Sequence, residues 1–117
     1  MRTPKLNRTT LLIFAPVLIL TGVGGLLGPA PFDLMSNAVP YDIFHIVFGV
    51  IGLGCVLSDR PALVRGFNVG FGAIDLYQAV ASFAGLFPAA LFRYHRGDDV
   101  LHIVIGAALV AIGLSRR

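Results

Sequence analysis

The sequence predicts an all-α membrane protein, and three features carry that reading. The first is composition: 56% of the 117 residues are hydrophobic, 13% are charged, and the mean hydropathy is +0.85. Such a chain has too little polar surface to cover a water-soluble globule. The second is segmentation, since four apolar stretches at about 10–28, 41–57, 66–87 and 98–114 are each bounded by charge, proline or polar clusters. The third is a repeat. Asp42-Ile-Phe-His45-Ile46-Val47-Phe-Gly49 returns as Asp99-Val-Leu-His102-Ile103-Val104-Ile-Gly106, so D-x-x-H-I-V-x-G occurs twice. Together these predict one integral-membrane domain over 1–117. It would hold four transmembrane helices as two tandem, parallel helical-hairpin repeats, 1–58 and 59–117, packed as an antiparallel bundle.

Each element has its own justification. A transmembrane helix needs about 20 residues, within a range of about 17–25. The alternative in lipid is a closed barrel of alternating strands, and the runs Val17-Leu-Ile-Leu and Ala107-Ala-Leu-Val-Ala-Ile do not alternate. The first segment follows a basic Met1–Arg8 stretch and ends near Gly28-Pro-Ala, which has the outline of a signal peptide. Pro31 directly after Ala30 disfavours cleavage, and the duplication needs a first helix to pair with the second, so retention is expected. Gly22, Gly24, Gly25 and Gly28 then serve close helix packing. The second and fourth segments are short and borrow polar outer turns, which contain the Asp/His pairs. The third opens at Gly66 and ends near Gly85-Leu-Phe-Pro88, much as Gly25-Leu-Leu-Gly-Pro29 ends the first.

Basic residues orient the bundle. With the N-terminus in the cytoplasm, Arg2, Lys5, Arg8, Arg60, Arg65, Arg116 and Arg117 lie inside and only Arg93 and Arg96 outside. Both termini are therefore expected in the cytoplasm of a bacterial inner membrane. The net charge of +3 reflects contact with anionic lipid. No basic patch with interleaved aromatics points to nucleic acid. Cys55 is the single cysteine, so no internal disulfide can form, and its apolar run suits an inert thiol. Glutamate does not occur, and neither do G-x-S-x-G, C-x-x-C, H-E-x-x-H, a P-loop or a dinucleotide fingerprint. Catalysis is not expected.

Polar residues within the apolar segments are the candidate functional groups. Residues three apart share a helical face, so Asp42 with His45, and Asp99 with His102, can each present a carboxylate and an imidazole. Two such pairs resemble, in spacing, the carboxylate-x-x-His contributions of di-metal bundles. The imidazoles of His45 and His102 can equally ligate a haem or chlorin, or bond a quinone carbonyl. The competing expectation is structural: Asp42, Asp98 and Asp99 cap helix starts, and the imidazoles bond neighbouring helices. On the third segment Asn68, Gly72, Asp75, Ala79 and Ser82 form one polar and small stripe, with Gln78 beside it. Asp75 falls near mid-bilayer and must be protonated or bonded, with Thr21, Tyr77 or Gln78 as partners. It carries the further alternative of a proton or cation carrier. Packing contacts are expected at Gly49, Gly52, Gly66, Gly70, Gly106 and Gly113. His95 is expected in the outer loop, solvated or in contact with lipid headgroups, with Phe92 and Tyr94 as interfacial anchors. The loop from Pro29 to Pro40, with Phe32, Leu34, Met35 and Val39, is expected to lie on the membrane or against a partner.

The chain resembles a bacterial family of small four-helix membrane proteins known only as a domain of unknown function. The resemblance rests on Phe44-His45 through Gly49, the inner loop Asp59–Arg65, Arg65-Gly-Phe67 leading to Gly72, and Asp98-Asp-Val-Leu-His102. It covers nearly the whole chain, implies the same four-helix fold and supplies no activity. Asp98 stands where the family pattern has Asn, and Asp75 has no counterpart in it. The function expected is that of a non-catalytic accessory or scaffold subunit, packed against other membrane subunits or as a homo-oligomer. The alternatives are the cofactor-binding bundle and the carrier.

Overall fold

Proline marks where the helices begin. Pro4, Pro40 and Pro61 stand at cap or first-turn positions, where the N–H that proline lacks has no helical partner in any case. In the computed structural model, which describes residues 2–28 and 35–117, α1 spans Lys5–Leu27, α2 Val39–Ser58, α3 Pro61–Ala84, α4 Ala89–Phe92 and α5 Arg96–Leu114. Gly85 ends α3 with φ 69°, a left-handed conformation glycine takes without a Cβ clash. All four long helices start before the apolar segments read from the sequence. α3 stops at Ala84 rather than at 87, and the one-turn α4 was not expected. The stretch with Phe32 and Leu34, and the Gly28-Pro-Ala site beyond Gly28, lie outside the described residues.

α1, α2 and α5 are long and apolar enough to cross a membrane. α3 has the length, but Asn68, Asp75 and Gln78 make it less apolar. All three are buried, and Asp98 and Gln78 are at most 1% exposed, whereas Leu20 and Phe83 are 68% and 74% exposed. Polar groups face inward and large apolar ones outward. That is the reverse of a water-soluble bundle and suits a hydrocarbon solvent.

Two helical hairpins build the bundle, α1 packing on α2 and α3 on α5. Glycine lets the backbones meet. A Cβ on Gly49 would lie 2.9 Å from the Ala15 carbonyl oxygen, and one on Gly106 would lie 2.8 Å from the Gly72 oxygen. Gly52 abuts Phe67, and Gly113 abuts Val69. Gly66 and Gly70 do not take part. Nothing lies within 4 Å of a Cβ built on either, because α3 turns the face of Asn68, Gly72, Asp75 and Ala79 inward. Gly70, two residues from Gly72, is about 200° around the helix from it. Gly24 and Gly28 are open too, whereas Gly22 and Gly25 touch Asp42.

The end holding both chain termini is tied by Asn7, a residue absent from the sequence-based candidates. Its Nδ2 donates to the Ile112 and Arg117 carbonyls at 2.9 Å each, and Asn68 Nδ2 donates to Asn7 Oδ1 at 3.0 Å. Arg65 Nε donates to the Gly113 carbonyl at 3.1 Å. These bonds tie the last turn of α5 and the residues beyond it to α1 and α3. Beyond them Leu11, Ala15, Leu18, Val56, Val64, Phe67, Phe71 and Leu109 form the apolar core.

Alanine substitution separates the two glycine faces. Gly72→Ala is expected to lower stability by about 1–3 kcal/mol, the usual cost of overpacking, whereas Gly70→Ala should be neutral or stabilising by up to about 1 kcal/mol. Unfolding midpoints of the purified variants in one detergent decide this, and equal loss in both would refute the packing described.

Candidate functional site

At the end opposite the termini, the polar groups of α2, α3 and α5 converge on Tyr41. Its hydroxyl is 2.7 Å from His102 Nε2, and its backbone carbonyl is 2.8 Å from His45 Nδ1. The Tyr41 ring packs edge-on against His45, with centroids 4.3 Å apart, and Tyr94 packs edge-on against His102 at 5.4 Å. One tyrosine thus links the two imidazoles of the repeated elements.

Neither Asp/His pair closes on itself. His45 is bonded to its own helix, while the Asp42 carboxylate turns onto Gly25 of α1 and leaves Oδ2 without a protein partner. Asp99 Oδ1 and His102 Nδ1 are likewise buried and unpartnered. Among the described residues no three His, Cys, Asp or Glu side chains, Asp42, His45, Asp99 and His102 included, cluster to hold an ion. The physical reason is that a backbone carbonyl and a phenol, not the carboxylates, take the imidazole nitrogens.

Asp98 is the anchor of this end. Its Oδ2 accepts from the Ser36 N–H at 2.7 Å and the His95 N–H at 2.9 Å, which fixes the start of α5 and ties down the strap before α2. The Ser36 hydroxyl donates to the Phe92 carbonyl and accepts from the Ala38 N–H at 3.1 Å. His95 is half-buried as the cap of α5 rather than solvated in a loop. Phe92 and Tyr94 also turn inward instead of anchoring at the interface, because α4 folds them onto Tyr41. Burial, and then the nearby Asp98 carboxylate, push the Tyr94 phenol up from its ordinary range. It stays protonated and donates to Gln78 Oε1 at 2.9 Å, and Gln78 Nε2 donates to Asp75 Oδ1 at 3.0 Å. Asp75 is thus bonded to Gln78. Thr21 turns its hydroxyl to the Val17 carbonyl at 2.7 Å and Tyr77 its own to Phe87. Ser82 is half-buried, and Asn68 belongs to the opposite end of the bundle.

Between the hairpins lies a cavity of about 220 Å³ lined by His45, His102, Asp75, Tyr41, Phe14 and Phe71 with their neighbours on α1 and α5. A second, of about 210 Å³, lies against Gly25, Ser36, Asp42 and the other side of Tyr41 and His45. Both are smaller than the roughly 300–1,000 Å³ sites of drug-sized ligands. The main cavity takes a single small ring or headgroup. Its presence was not legible from spacing, because it depends on how α1 meets α5.

Compared with known proteins, the chain matches no family model, no curated protein and no solved structure.

Removing the anchor should loosen this end selectively. Asp98→Ala strands two N–H groups and is expected to cost about 1–3 kcal/mol, while Asp98→Asn, which keeps an acceptor oxygen, should cost less. Detergent unfolding midpoints with amide exchange at Ser36 and His95 read this out. Unchanged exchange in Asp98→Ala would contradict the anchoring role.

Proposed function

We propose that the chain is a small four-span protein of the bacterial cytoplasmic membrane, with both termini inside, that acts as a non-catalytic accessory component and holds a small lipid-soluble molecule between its two hairpins. The observation that carries the binding role is the cavity at which His45, His102 and Asp75 meet. A pure scaffold would fill such a space, since an unfilled void forfeits packing contacts. Non-catalytic partnership with other subunits, or with further copies of the chain, is the part of the reading that rests on the apolar outer faces.

Two tandem repeats are supported by equivalent contacts. Gly49 meets Ala15 and Ile19, and Gly106 meets Gly72 and Leu76. Each residue of the second set follows its counterpart at the offset that separates Asp42 from Asp99. A four-span arrangement is supported by α3 running alongside three apolar helices with its polar stripe buried. Clustering of Lys5, Arg8, Arg60, Arg65, Arg116 and Arg117 at one end supports cytoplasmic termini. The reading groups the chain with the bacterial family its motifs resemble. A carrier acting through Asp75 is less favoured, because Phe14 and Phe71 floor the cavity and the apolar core fills the bundle beyond.

Two measurements test this. In a Cys55→Ala background, a cysteine at Asn37 should react with an impermeant maleimide from outside intact cells, and one at Ser58 only after lysis. The reverse pattern would invert the topology. Organic extracts of the protein purified from host membranes in mild detergent should contain a near-stoichiometric small molecule, lost in His45→Gln with His102→Gln. Extracts holding bulk lipid alone would leave the scaffold role.

A further inference from the structure

The two halves fill equivalent space differently. Phe44 and Phe48 of α2 pack on Phe71 of α3, with ring centroids 5.9 and 5.2 Å apart, and close the seam between the hairpins on that side. At the same offset as the repeat, α5 carries Leu101 and Ile105, and α1 carries Phe14 in place of Phe71. Two smaller side chains stand where two rings would, and the main cavity lies there, lined by Phe14, Leu101 and Ile105. Val17, Thr21 and Leu101 line it too and are exposed on the outer face of the bundle. The cavity therefore faces the bilayer between α1 and α5, which touch at fewer places than α2 and α3.

The imidazoles define what it can bind. His45 Nδ1 is 2.8 Å from the Tyr41 carbonyl, which can only accept, so Nδ1 carries the proton and the uncharged ring offers Nε2 as an acceptor. His102 Nε2 is held by the Tyr41 hydroxyl, and its Nδ1, on a residue 5% exposed, has no protein partner. If the phenol donates to Nε2, Nδ1 is a donor. If the ring instead donates Nε2–H to the phenol oxygen, Nδ1 is an acceptor. The site thus offers one fixed acceptor, one imidazole nitrogen of either sense, and the Asp75 carboxyl group, whose Oδ1 accepts from Gln78.

We infer that this cavity binds the hydroxylated ring of a lipid-soluble quinol, which enters from the bilayer between α1 and α5 and leaves its tail in lipid. The inference rests on the binding role proposed above and names its ligand. A ring hydroxyl donates to His45 Nε2, and the opposite oxygen meets His102 Nδ1. The oxidised quinone has two acceptors and leaves His45 facing a carbonyl. A buried acceptor left without a donor weakens binding roughly tenfold. The volume admits the ring and not the tail, so the tail must pass between Val17 and Leu101.

The test uses the full chain in lipid nanodiscs, with a decyl-substituted benzoquinol and the matching quinone under anaerobic conditions, and empty nanodiscs as the baseline for equilibrium dialysis. Expected are saturable binding of one quinol per chain and quinone binding weaker by roughly tenfold. Leu101→Phe with Ile105→Phe, which restores the rings of the first half, should abolish binding while leaving the unfolding midpoint unchanged or raised. That separates closure of the site from misfolding. Equal affinity for quinol and quinone, or full binding in the doubly filled variant, overturns the inference. If no quinol binds but a different small molecule is extracted from host-purified wild type and lost from the filled variant, the quinol assignment fails and the binding role stands. If nothing beyond bulk lipid is found in either, both fail.

Discussion

No water reaches the interior of a bilayer to bond a carboxylate, an amide or an imidazole, so every such group must be answered within the bundle or left at a cost of several kcal/mol. This constraint organises the whole chain. Polar side chains are placed at two levels, one at each end, and each level is a network that joins helices distant in sequence. At the terminal end Asn7 reaches α5 and Asn68 reaches Asn7. At the other end Tyr41 joins α2 to α5, and Tyr94, Gln78 and Asp75 form a chain back into α3. Between the levels the core is apolar and aromatic.

Close backbone approach is what allows these networks to form. With lipid tails as apolar as leucine, helices in a membrane gain little from burying hydrophobic surface against each other, and contact comes from packing small residues. Gly49 and Gly106 do this in the two hairpins. Once each hairpin is set, the space between the two is decided by the larger side chains. Phe44, Phe48 and Phe71 close one seam, while Leu101 and Ile105 leave the other open. Similar backbone contacts in the two hairpins with different side chains between them leave one cavity and not two.

Much of this was legible in the sequence. Hydropathy located the cores of all four long helices, and the repeat singled out His45 and His102, which do come to one place. The remainder follows from facts that spacing does not carry. Asp42 and Tyr41 are adjacent, about 100° apart on the helix, and the tyrosine rather than the carboxylate faces the imidazoles. Asn7 sits in a basic, polar stretch that reads as solvated, yet the end of α5 needs its amide. Gly66 and Gly70 have the familiar small-x-x-x-small spacing, but burial of Asn68 and Asp75 sets the phase of α3 and turns them to the lipid. The short α4, which folds Phe92 and Tyr94 inward, has no periodic pattern that a single turn could display.

The central claim is that uncharged imidazoles, both bonded to Tyr41 and with the sense of His45 fixed by its carbonyl, line a cavity open to lipid. Nitrogen NMR of the histidine-labelled protein in bilayers tests it most directly, because the shifts distinguish Nδ1–H, Nε2–H and the cation. The account predicts His45 as the Nδ1–H form with an unprotonated Nε2, and a quinol-induced change at that nitrogen and at His102 Nδ1. A His45 that is cationic, or that carries its proton on Nε2, would contradict it.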